Sequence, residues 1–214
     1  MTPPAQPPVT PPLSLRRLVL LRHGETDHNA GLRMQGQLDV GLNDRGREQA
    51  ATVALRLASL HPELVISSDL ARAADTAAAV AAAAGLDVHH DVRLRETLLG
   101  QWQGLTHTEV EKHTPGGFPA WRSDALYRPP GGETRVEVAE RGAAVVDELP
   151  DGPATVVLVA HGGLVAALTA RLLELPVARW AVIGGLGNTR WAELVPRVVD
   201  GRSGWRLEAW DTRG

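Results

Sequence analysis

The sequence predicts a three-layer α/β/α sandwich built on a mixed, mostly parallel sheet. Three observations carry this. Short apolar runs at residues 18–21, 64–66 and 155–160 have the length and continuity of strands buried on both faces. Helical patterns follow them after short joints, the βαβ rhythm of a parallel sheet. Two of the runs end in His-Gly, at His23–Gly24 and His161–Gly162, and open α/β sheets gather ligands beyond the carboxyl ends of their strands.

The elements follow in order. Residues 1–14 hold six prolines within 1–12 and read as an extended, disordered leader before a domain at 15–214. The first strand covers 16–22, and a Gly-rich polar loop follows at 31–39. Asn43 or Asp44 caps a helix to Ser59 that places Ala50, Val53, Ala54 and Leu57 on one face. After His61–Pro62 comes the strand at 64–66. Asp69 then caps an alanine-rich helix through Ala84 that Gly85 stops. A third strand lies within 88–95 and ends at Glu96. The rhythm fails across 97–132, a Pro- and Gly-rich insertion with four aromatics and a short helix at 106–112, expected to cover the active site. A helix at 133–149, the strand 155–160, a helix to Leu175 and strands at 188–194 and 205–210 complete the chain, the last at a sheet edge.

Composition narrows the function. The 214 residues suffice for one domain with a sizeable core, and 43% hydrophobic against 22% charged residues is ordinary for a soluble globular protein. A net charge of −3 gives no reason to expect nucleic acid or an anionic membrane as partner. No cysteine is present, which excludes disulfides, thiolate nucleophiles and Cys-based zinc sites. No apolar run approaches membrane-spanning length and no secretory signal is visible, so a cytoplasmic protein is expected.

Chemistry concentrates at the strand ends. Strands distant in sequence can meet at one sheet edge, so His23 and His161 can face each other there. Arg22 precedes the first histidine, and Arg72 lies in the first turn of the helix after the second strand. Two arginines and two histidines converging at helix N-termini form a site for a tetrahedral anion. An imidazole kept neutral among cations has a ring nitrogen free to attack phosphorus. Glu96 is placed to protonate a leaving alkoxide. Trp102, Trp121 and Tyr127, with Gln35, Gln37 and His107, either line the mouth of this site or pack the insertion onto the sheet; the residues leave both open. His89 and His90 point to opposite strand faces and cannot share one metal.

These residues carry a resemblance. Arg22–His23–Gly24–Glu25–Thr26 with Asn29, then Gln35–Gly36, residues 67–76, Arg95–Glu96 and Ala160–His161–Gly162 are similar, in order and spacing, to the signature of the histidine phosphatase (phosphoglycerate-mutase-like) superfamily. Within it, residues 33–39, 104–107, 131–133 and 186–188 most resemble the glucosyl-3-phosphoglycerate phosphatases. The resemblance implies that His23 becomes a phosphohistidine and that Arg22, Arg72 and His161 hold the equatorial oxygens. Glu96 is the implied acid and then base, and Thr26 and Asn29 contact the phosphoryl group. Gln35, Gly36, Gln37, His107 and Gly162 complete the expected substrate set. It also implies no metal or other cofactor, a small phosphorylated metabolite as substrate and a homodimer through the C-terminal strands. The run after Glu96 and the short C-terminus favour hydrolysis. A broad-specificity or α-ribazole phosphatase, a phosphoglycerate mutase, or a non-catalytic phospho-ligand binder are the alternatives.

Overall fold

The computed structural model describes residues 7–199 and 201–213. Its sheet has six strands, β1 (Arg17–Arg22), β2 (Leu64–Ser67), β3 (Val88–His90), β4 (Thr155–Ala160), β5 (Trp191–Val199) and β6 (Arg202–Thr212), in the order β3-β2-β4-β1-β5-β6. β3, β2, β4 and β1 run parallel; β5 is antiparallel to β1, and β6 to β5. The sheet is mixed and mostly parallel, and β6 is an edge, as expected.

Alternation along β1 explains the layers. Leu18 and Leu20 pack on one face with Leu164 and Leu168 of α7 (Gly162–Leu172) and Val138 and Val146 of α6 (Arg135–Asp147). Val19 and Leu21 pack on the other with Val53 and Leu57 of α2 (Asp44–Ala58) and Ala73, Ala77 and Val80 of α3 (Ala71–Ala84). Successive strand side chains point to opposite faces, so a run that is apolar throughout demands helices on both sides. Register then builds the site: Arg22 pairs with Ala160 and Ser67 with Val159, so His23, His161 and Ser68 emerge side by side at one carboxyl edge.

Several elements differ from expectation. Residues 1–6 of the proline-rich leader lie outside the described residues. Residues 7–14 are not a free tail: Val9 is buried, its carbonyl accepts from Trp205 Nε1 at 2.8 Å, and the Pro7 carbonyl accepts from Arg171 at 2.6 Å. An extended proline-rich segment cannot use its own donors, but its carbonyls remain free to accept from the domain. β3 is three residues long, and Val92–Leu94 form a 3₁₀ turn, so Glu96 follows a turn rather than ending a strand. The cap of α3 is not Asp69, which pairs with Arg95 at 2.7 Å; Asp39, distant in sequence, accepts from Ala71 N at 2.8 Å. A helical turn absent from the expectation, α1 (Asp27–Ala30), follows β1.

The insertion at 97–132 holds three short helical segments: a 3₁₀ turn at Gly100–Trp102, α4 (His107–His113) and α5 (Gly117–Ser123). A Thr106–Glu109 capping box starts α4. Trp102, 1% exposed, centres a separate apolar cluster with Met34, Leu99 and Val110. That ring packs the insertion and does not line the mouth. Met34 exchanges backbone hydrogen bonds with Leu105 and Gly104 at 2.9 and 2.7 Å, tying the insertion to the loop after α1. Another 3₁₀ stretch, Val177–Val182, precedes β5. Among the described residues, no helix is long and apolar enough to cross a membrane.

Candidate active site

His23 is the centre of the site. It leaves β1 and is 3% exposed. Its Nδ1 lies 2.6 Å from the Gly24 carbonyl, and Arg72 Nε donates to its Nε2 at 3.2 Å. A guanidinium has no lone pair to offer, so Nε2 must be the acceptor and the ring proton sits on Nδ1. This is the tautomer a nucleophile needs. Burial, then the charges of Arg22 and Arg72, hold the imidazole well below its usual pKa. Gly24 allows the turn beyond it: a Cβ there would stand 2.5 Å from the Gly46 carbonyl at the start of α2.

His161 faces it across the sheet edge, with ring centroids 5.1 Å apart. Its Nε2 is 2.9 Å from Ser68 Oγ, while Nδ1 is buried without a partner. Burial and the Arg72 charge also push this imidazole well below its usual pKa. With Ser68 donating to Nε2, a neutral ring keeps its proton on Nδ1, ready for an anionic oxygen.

The arginines are braced by backbone carbonyls. Arg72, fully buried in the first turn of α3, donates to the Leu38 and Gly36 carbonyls at 2.7 and 2.8 Å, and burial lowers its pKa to about 10. Arg22 donates to the Leu186 carbonyl at 2.5 Å and keeps a buried, unpartnered Nε. Gly162 lies against it: a Cβ at Gly162 would be 3.5 Å from the Arg22 Nε. Unmatched donors around a neutral nucleophile are what a doubly negative phosphoryl group would satisfy.

Glu96 sits at the start of α7. Its carboxylate accepts from Gly163 N at 3.0 Å, Leu164 N at 3.1 Å and Thr97 N at 2.8 Å. The Gly163 and Leu164 amides are N-terminal donors of a helix whose N-cap, His161, has no capping side-chain bond. The Glu96 carbonyl accepts from Gln37 Nε2 at 3.1 Å and from Arg141 at 2.9 Å. Gln37 therefore positions the backbone of Glu96.

A second chain of contacts steadies the nucleophile. Thr26 Oγ1 donates toward Gln35 Oε1 at 3.0 Å and accepts from Asn29 N at 3.2 Å; the Asn29 Oδ1 accepts from Asn188 Nδ2 at 3.1 Å, which also donates to the His23 carbonyl at 3.0 Å. Gly36 contributes its carbonyl to Arg72 at a φ of 54°, a conformation suited to glycine. Of the expected residues, His107 is exposed on α4 and stacks on Phe118, with ring centroids 4.0 Å apart. Reasoning from sequence assigned no role to Ser68, Asn188 or Arg141. Ser68 could have been found from its place at a strand end. Asn188, distant from His23 in the chain, becomes visible only with the topology.

The protonation states have a measurable consequence. Between pH 6.5 and the depressed folded pKa values, the unfolded chain binds protons at these two histidines and the folded chain does not, so stability falls as pH drops below 6.5. The unfolding free energy from urea titrations should therefore decline from pH 7.5 to 5.5, by on the order of 1 kcal/mol per buried histidine. Histidine NMR signals for His23 and His161 that titrate at 6.5 would contradict this.

The chain resembles known proteins along most of its length. Residues 18–212 match the model of the histidine phosphatase superfamily (branch 1). A glucosyl-3-phosphoglycerate phosphatase of Mycolicibacterium vanbaalenii is 52% identical, covering 93% of this chain and 96% of that protein. One from Mycobacterium tuberculosis is 50% identical over 92% and 94%. A solved mycobacterial glucosyl-3-phosphoglycerate phosphatase in complex with VO3 superposes with a TM-score of 0.88 at 50% identity, covering 92% of this chain and all of the other. These matches place this chain in the histidine phosphatase superfamily.

Proposed function

We propose that the chain is a cytoplasmic, metal-independent phosphomonoesterase that hydrolyses glucosyl-3-phosphoglycerate through a phosphohistidine on His23. The observation that carries the mechanism is the neutral His23 ring, its Nε2 held by Arg72 and facing His161. The relatives named above support the substrate.

His23 Nε2 attacks phosphorus and the ester P–O bond breaks. Arg22, Arg72 and the Nδ1–H of His161 hold the equatorial oxygens, whose charge in the transition state is where most such catalysis resides. The leaving alkoxide takes its proton from Glu96. Water then attacks the phosphohistidine, Glu96 accepts its proton, the P–N bond breaks and phosphate departs. Thr26, Asn29 and Gln35 hold the loop beside the nucleophile. A homodimer belongs to the same reading; the open outer edge of β6 supports it.

The test is phosphate release in EDTA from glucosyl-3-phosphoglycerate, 3-phosphoglycerate, α-ribazole phosphate, fructose bisphosphates and p-nitrophenyl phosphate. A preference for the glucosyl compound of tenfold or more in kcat/KM is expected; even, weak release across the panel would overturn the substrate. Glu96→Gln should lower kcat/KM for alkyl phosphates by about 10²–10⁴-fold, and far less for p-nitrophenyl phosphate, whose leaving group needs no proton. Equal losses would remove Glu96 from the role of acid.

A further inference from the structure

His23 and His161 are fixed by the strands they leave, but Glu96 is not. It lies beyond the Val92–Leu94 turn in a stretch without regular structure, where its backbone has no ladder to hold it. An acid must stand within hydrogen-bond reach of the oxygen it protonates, so other contacts have to set its position. Two residues that the two-step chemistry does not use meet at this stretch. They are Arg141 of α6 and Glu133, the last residue of the Gly131–Gly132–Glu133 motif.

Every donor of Arg141 is used here. Its Nη1 donates to the Arg93 and Arg95 carbonyls, both at 2.6 Å, and its Nη2 to the Glu96 carbonyl at 2.9 Å. The remaining N–H groups, on Nε and Nη2, donate to the two Glu133 carboxylate oxygens at 3.1 and 3.0 Å. Together these contacts occupy the full fork of a guanidinium. Glu133 in turn holds the chain beyond Glu96: its Oε2 accepts from Leu98 N at 2.8 Å, and its own N–H donates to the Leu98 carbonyl at 2.8 Å. Gly132 makes that approach possible, since a Cβ there would stand 2.4 Å from the Leu98 carbonyl oxygen. The two side chains are only 18% and 23% exposed, so the pair is little screened, and its bidentate geometry is fixed.

We propose that Glu133 and Arg141 are positioning residues for Glu96, a clamp that holds residues 93–98 on either side of it and sets where its carboxyl group meets the leaving oxygen. This rests on the reading of Glu96 as the acid and deepens it. The carboxylate end is held separately by the α7 amides, and Gln37 reaches the Glu96 carbonyl from the loop after α1. The clamp supplies what those contacts leave free, the path of the backbone before and after Glu96. Without it the carboxyl group shifts, while the histidines and arginines that grip the phosphoryl group stay in place. Such a shift matters for proton transfer and little for a leaving group that needs no proton.

The experiment reads kcat/KM, which reports only the first phosphoryl transfer. It compares p-nitrophenyl phosphate with glucosyl-3-phosphoglycerate, or with whichever alkyl phosphate of the panel above is turned over best. Glu133→Gln sets an amide NH2 against N–H donors that the carboxylate accepts. The ratio of alkyl to p-nitrophenyl kcat/KM should fall by about tenfold to a hundredfold, with a loss below about threefold on p-nitrophenyl phosphate. An unchanged ratio, whatever the absolute loss, would overturn the clamp, because general damage lowers both substrates alike. Should Glu133→Gln yield no soluble protein, Arg141→Lys keeps the charge without the fork. A fall of about threefold or more in the ratio then supports the clamp, and an unchanged ratio overturns it. Added to Glu96→Gln, Glu133→Gln should lower the ratio no further; a full second loss would show that Glu133 does not act through Glu96. If Glu96→Gln alone leaves the ratio unchanged, the acid reading fails and takes the clamp with it. If Glu96→Gln lowers the ratio and Glu133→Gln does not, the clamp alone fails.

Discussion

Replacing His23 by alanine should lower kcat by about 10⁴-fold or more, the scale seen when a covalent nucleophile is removed from an otherwise intact site. The cations that grip the phosphoryl group remain, so inhibition by inorganic phosphate should survive while turnover does not. The phosphoenzyme trapped by acid quench in the wild type should be absent from the variant. Some stability is lost as well. The Gly24 carbonyl, which the Nδ1–H of His23 meets at 2.6 Å, is left without its donor, at a cost of about 1–3 kcal/mol. A thermal melt separates that loss from catalysis. Substantial turnover by a folded His23→Ala protein would end the phosphohistidine mechanism.

Arg72→Leu should be damaging in two independent ways. Arg72 is fully buried and braces the loop after α1 through the Gly36 and Leu38 carbonyls. Leucine leaves the Gly36 carbonyl unmet and the Leu38 carbonyl with the Val40 amide alone at 3.1 Å, a loss of about 1–3 kcal/mol read from urea unfolding. It also removes the guanidinium beside His23, and kcat/KM should drop by about 10³-fold or more. Loss of that charge removes one cause of the depressed His23 pKa, so the acid limb of activity should move to higher pH. Arg72→Lys keeps a charge but cannot serve two carbonyls and His23 in a fixed fork, so it should recover the pH profile better than the stability. A Leu variant as stable as wild type would show that the loop is braced elsewhere.

Much of the fold was legible because its strands are apolar on both faces and its helices follow at short joints. Residues 155–160 illustrate this: all six are buried, and such a run has no solvent face to offer. The site was legible for a related reason. Polar residues at the ends of buried strands have little structural purpose there, and Arg22, His23 and His161 were found by that argument. Elements governed by distant partners were not legible. Asp69 has the composition and place of an N-cap, yet Arg95 takes it and Asp39 caps α3 instead. Residues 7–14 read as a free tail, since nothing within them shows that Trp205 and Arg171 wait for their carbonyls. Nor does the motif that holds His107 show its stack on Phe118.

The sequence by itself determined the layer architecture and brought Arg22, His23, Arg72, Glu96 and His161 forward as candidates, because local periodicity and strand-end chemistry are properties of short stretches of chain. Only the tertiary structure decided which tautomer His23 holds, that Asn188 and Gln37 bind the backbone carbonyls of His23 and Glu96, and that Arg135 stacks on Trp121. Each of those depends on which donors and acceptors meet once sheet register and the insertion are in place. A hydrogen bond or an unmatched charge between distant residues has no signature in either residue's neighbours along the chain.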